Sequence, residues 1–141
     1  MPGQTDSGRP GKGPHDYRVE VWVDHVIRPL ADANRTDELD AQLDLAGEVR
    51  EWRSQPDDYD LLQFATERGS LKAVLALIDY GFDCNRQTDP ARGRTYSGGT
   101  ALHIAVGNRR DAVTRGLLEA GADPTLRDAA GLQPADRARA I

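Results

Sequence analysis

Two stretches of this chain superimpose without a gap: LLQFATERGSLKAVLALIDYGFDCN at 61–85 and ALHIAVGNRRDAVTRGLLEAGADPT at 101–125. Ala65 falls on Ala105, Leu77–Ile78 on Leu117–Leu118 and Gly81 on Gly121, each pair 40 positions apart. GLQPADRARAI at 131–141 then repeats the opening GGTALHIAVGN at 98–108 with a spacing of 33. Such self-similarity constrains the fold strongly. One helix pair cannot bury its own apolar stripe, so units must stack into a continuous core. Each full unit reads as a short helix, a turn, a second helix and a Gly-x-Asp/Asn loop. The expected fold class is all-α, a helical solenoid.

GTALHIA, LLEAGADP and AAGLQPADRA follow in register the helix–turn–helix–loop pattern of ankyrin repeats, and residues 58–141 resemble that family. The resemblance implies units at 58–90 and 91–130 and a truncated third at 131–141. RPLADAN, about one repeat upstream, reads as a candidate degenerate first unit. Residues 16–57 are then expected to form an arm and a helical N-terminal cap, with 1–15, rich in Gly and Pro, as a disordered tail.

Thr100 and His103 raise the question of a nucleophile beside its base. A catalytic pair needs a third orienting group and an oxyanion site, and no motif supplies one. The resemblance implies a structural role instead: hydroxyl and imidazole hydrogen-bond within the helix-opening turn and to the neighbouring loop. Asp60 and Gln63 stand at those two places in the preceding unit.

The change in spacing from 33 to 40 leaves seven surplus residues between Asn85 and Thr100, within RQTDPARGRTYSGG. Packing does not require them. They bring Arg86, Arg92, Arg94 and Tyr96, residue types enriched at binding hot spots, into a loop expected to form an extended finger at 86–99. The resemblance places further contacts at the loop tips and first-helix ends, here Tyr59, Glu67, Arg68, Asn108 and Arg109. These nine residues are the candidate partner-binding site.

Upstream, YRVEVWVD alternates Tyr17, Val19, Val21 and Val23 with polar residues and Trp22, a strand pattern that fits a paired strand or an extended packing arm. Leu39, Leu43, Ala46, Val49 and Trp52 form an apolar stripe on a helix of about 16 residues, stopped by Pro56. Trp22 and Trp52 are expected to anchor the cap.

Charge divides the chain. Residues 15–60 carry thirteen acids against five basic residues, whereas 86–141 carry nine arginines against six acids. The overall charge of −5 argues against a general nucleic-acid binder. The longest apolar run, AVLALI at 73–78, is too short to span a bilayer. The single Cys84 excludes an intramolecular disulfide and a cysteine-based metal cluster; it is expected to be a packing thiol. No catalytic residue, metal or cofactor is expected.

The resulting expectation is a non-enzymatic protein-binding module, regulatory or an immunity-type inhibitor, in a reducing cytoplasm. Arginine-rich coding suggests a bacterial source. The alternative is a small enzyme or small-molecule binder with a pocket between the N-terminal segment and the concave face, lined by Tyr17, Trp22, Asp24 and His25. Homodimerisation is a third possibility, through edge pairing of YRVEVWVD or through the C-terminal helix.

Overall fold

The computed structural model describes residues 19–45, 51–54, 58–91 and 96–139. Tyr17, Arg92, Arg94 and the 1–15 tail lie outside them. Among the described residues the secondary structure is helical, with no strand. The chain divides into two compact units, 1–49 and 50–141.

In the first unit, α1 (Val19–Trp22), a π-helical segment (Val23–Ile27) and α2 (Arg28–Asp32) run on continuously. The strand expectation for YRVEVWVD is therefore corrected, and with it the edge pairing of two copies. The buried residues are Val19, Trp22, Val23, Ile27 and Ala31; Val19, Val23, Ile27 and Ala31 recur every four positions, with Trp22 beside Val23, and make a helical stripe. Val21, which completed the apparent alternation, faces outward at 37% exposure. The π register is read from the Arg28 N–H, which reaches back to Val23 O. Pro29 follows at once, tolerated within the first turn of α2. α3 (Thr36–Leu45) buries Leu39 and Leu43. Ala46 and Val49 of the expected longer stripe lie outside the described residues.

The second unit contains two helix pairs, α4 (Leu61–Arg68) with α5 (Leu71–Tyr80) and α6 (Ala101–Gly107) with α7 (Asp111–Glu119), followed by α8 (Pro134–Arg139). α6 packs between α4 and α8, and α5 packs against α7. Leu61, Leu62, Ala65, Val74, Leu77, Ile104, Ala105 and Leu117 are fully enclosed. Gly116 lets α7 approach α5 closely: a β-carbon there would meet Leu71 Cδ1 at 2.5 Å. Trp52 packs edge-on to Phe64, ring centroids 5.8 Å apart.

The backbone repeats as the sequence does. Gly98 and Gly131, 33 apart, both hold positive φ, at 70° and 82°. Asp58, 40 before Gly98, adopts φ 63° without being glycine. Gly69 ends α4 at φ 80°, and its counterpart Arg109 takes φ 59°.

Candidate functional site

Three different side chains open the three first helices in the same way. Gln63 Oε1 accepts from Asp60 N–H at 2.9 Å, His103 Nδ1 from Thr100 N–H at 3.1 Å, and Asp136 Oδ2 from Gln133 N–H at 2.9 Å. Asp60 and Thr100 reciprocate by capping the N–H of Gln63 and His103, closing capping boxes. Helix-terminal donors that would otherwise be orphaned are thus satisfied.

His103 Nε2 lies 2.8 Å from Leu132 O. With Nδ1 accepting, the proton sits on Nε2 and is donated across to the third unit's loop. The imidazole is fully buried, and this burial lowers its pKa from 6.5, against the opposing pull of the Leu132 carbonyl and the Asp128 carboxylate. Thr100 Oγ1 stands 2.9 Å from Nδ1, yet Thr100 is 1% exposed and His103 0%. No substrate reaches this pair. Asp128, 3.9 Å from Nε2, is enclosed and accepts from Arg137 and from the N–H groups of Ala130 and Leu132. Burial would raise its pKa, but the Leu132 and Arg137 hydrogen bonds prevail and hold the carboxyl below its usual value.

The described part of the 86–99 loop is tied down. Arg86 donates to Asp58 O at 2.9 Å, Asp58 Oδ2 at 3.0 Å and Gln63 Oε1 at 2.6 Å. Asp58 Oδ2 also accepts the Asp89 N–H. Thr88 N–H donates to Gly99 O, and its hydroxyl to Tyr96 O. The Gln87 amide bridges Gly98 O and Arg127 O, while Ala129 N–H donates to Ser97 O. The loop is therefore pinned at its stem to the unit before it and the unit after it.

These contacts redistribute the candidate residues. Arg86 serves the stem, its guanidinium engaged by Asp58 and Gln63. Tyr96 turns inward, with its hydroxyl over Gly107 and Arg137 5.6 Å above its ring. Tyr59 is 1% exposed and belongs to the core. Tyr59 and Tyr96 are accordingly corrected from surface contacts to packing residues. Arg68, Asn108 and Arg109 are exposed and Glu67 half-buried, at the ends of α4 and α6. Arg68 lies over Phe64, 4.6 Å from the ring centre. Asp58, Gln87 and Thr88 organise the stem and escaped sequence reasoning; the one available signal is that Asp58 occupies the place of Gly98.

Among the described residues, those expected to line an alternative pocket, Trp22, Asp24 and His25, do not converge. Trp22 is fully enclosed within the first unit, its indole N–H 3.4 Å from Gln42 Oε1. Asp24 pairs with Arg28 at 3.4 Å. His25 is exposed and borders an open groove of about 390 Å³ with Val26, Pro29, Leu30, Glu38, Ala41 and Gln42, all of the first unit. Cys84 is half-buried, and burial, aided by Asp83, pushes its thiol pKa up. That environment disfavours the nucleophilic thiolate. Among the described residues no cluster of His, Cys, Asp and Glu could hold a metal ion, and no helix is long and apolar enough to cross a membrane.

Paired helices repeated in register, with loops linked from unit to unit, define a helical-repeat protein. Residues 30–128 match the family described as Ankyrin repeats (3 copies), and the chain belongs to the ankyrin-repeat family. That match begins within α2, upstream of the 58–141 segment that carries the sequence resemblance. The chain is also 33% identical, over 126 residues and 88% of its length, to the E3 ubiquitin-protein ligase hecd-1 of Caenorhabditis elegans. It spans only 4% of that relative's length. Ankyrin repeats are a general protein–protein interaction module.

Proposed function

We propose that this chain binds a partner protein through its concave face and the 86–99 finger, in a regulatory or inhibitory role. The pinned stem carries the reading. The two described ends of the loop that carries the surplus, 86–89 and 96–99, are held by hydrogen bonds from both neighbouring units, which lowers the entropy lost when a partner docks. Arg68, Asn108 and Arg109 supply exposed contact groups at the helix ends, and Arg92 and Arg94 join them by sequence. The excess of nine arginines over six acids among 86–141 favours an acidic partner surface. Similarity to a segment forming 4% of a large ligase is on the scale of a docking element rather than a whole activity. A reducing, cytoplasmic setting belongs to the same proposal, supported by the single thiol. Three repeats, with the helices at 30–45 as the first, complete it.

Site-specific photocrosslinking tests this face. A photoreactive residue at Arg94 or Arg109 is expected to capture one common protein, which the same residue at Glu119 on α7 does not capture. Equal capture from Glu119, or capture from there alone, contradicts the assignment.

A further inference from the structure

We infer that the groove of the first unit is a second docking site, independent of the finger, for a partner segment carrying aliphatic residues flanked by Lys or Arg. Val26, Pro29, Leu30 and Ala41 give the groove an apolar floor that the fold leaves partly uncovered. Trp22, Ile27, Leu39 and Leu43 are buried in the core of this unit, whereas Pro29 and Ala41 are exposed and Val26 and Leu30 half-buried. At about 390 Å³, the space falls in the range of binding clefts.

Charge identifies the occupant. Residues 19–45 contain seven acids against two arginines. On α3, positions three and four apart share a face, so Asp37 and Glu38 lie one turn before Ala41 and Asp44 one turn after it, with Glu38 paired to Arg35. Asp37, Glu38, Asp40 and Asp44 are exposed. An aliphatic side chain seated on Ala41 therefore brings its neighbours against carboxylates. Basic neighbours are favoured and acidic ones repelled, while burial of the aliphatic group supplies the affinity.

The probe is a fluorescein-labelled amphipathic Leu/Lys peptide, titrated by anisotropy into the full-length chain and into variants whose melting curves match it. Binding is expected to weaken about tenfold in Asp37→Lys/Asp44→Lys, and to be unchanged in Asp79→Lys/Glu119→Lys, which alters net charge equally elsewhere. The decisive variant is Ala41→Glu. It adds negative charge yet obstructs the apolar floor, so docking in the groove predicts weaker binding, whereas general attraction to an acidic surface predicts tighter binding. Tighter binding in that variant, equal loss in both charge reversals, or no binding of the peptide overturns the inference.

Discussion

Gln63 and His103 perform the same task one unit apart. Each accepts the N–H of its helix-capping residue and donates its outer nitrogen to a carbonyl of a later loop, Arg86 O at 2.9 Å and Leu132 O at 2.8 Å. An amide and an imidazole present an acceptor and a donor at similar reach, but only the imidazole titrates near neutrality.

The equivalence makes His103→Gln a selective probe. The substitution is expected to change stability by less than ~1 kcal/mol, whereas His103→Ala strands the buried Thr100 N–H and leaves Leu132 O with only the Asp128 N–H, and costs about 2–3 kcal/mol. The pH dependence separates them further. Because the folded-state pKa of His103 lies below its unfolded value of 6.5, the unfolded chain binds the proton more readily. This contribution to stability is therefore fully present above 6.5 and is lost as pH falls toward the folded value. Melting temperatures of the wild type should decline more steeply below that pH than those of His103→Gln.

Arg109 occupies the left-handed position that Gly69 fills in the preceding unit. Its side chain is exposed, so Arg109→Gly removes backbone strain with little packing loss, and it should stabilise by about 0.5–1 kcal/mol. Gly69→Ala should act in the opposite direction, since it places a β-carbon 3.1 Å from the Arg110 side chain at positive φ. Denaturant midpoints measure both.

Gly107 is required by Tyr96. A methyl group there would overlap the tyrosine hydroxyl and press on the ring carbons Cε1 and Cζ at 2.7 Å. Gly107→Ala is expected to cost about 1–3 kcal/mol. In Gly107→Ala/Tyr96→Ala the clash is absent, so the double variant should lose less than the sum of the single changes. Strict additivity would show that the two residues do not meet.

The helices of the second unit were legible because the same spacings occur twice, and Ala65/Ala105 and Leu77/Leu117 are buried as aligned. The first unit was misread at 19–24, where three valines gave a period of two that the buried Trp22 already violated. The finger was legible only as a surplus. Its stem depends on Arg86 meeting Asp58 across 28 residues, a contact without local pattern. The inward turn of Tyr96 depends on an absent side chain at Gly107, which composition reads simply as a loop glycine.

Amide hydrogen exchange at the finger stem tests the account most directly. Thr88 N–H, Gly99 N–H and Ala129 N–H are bonded to Gly99 O, Tyr96 O and Ser97 O at 2.9, 2.7 and 2.9 Å. All three should exchange slowly in the wild type, and Thr88 and Gly99 should lose protection in Arg86→Ala while α6 keeps its own. Rapid exchange at all three amides in the wild type would contradict a preorganised finger and the binding role built upon it.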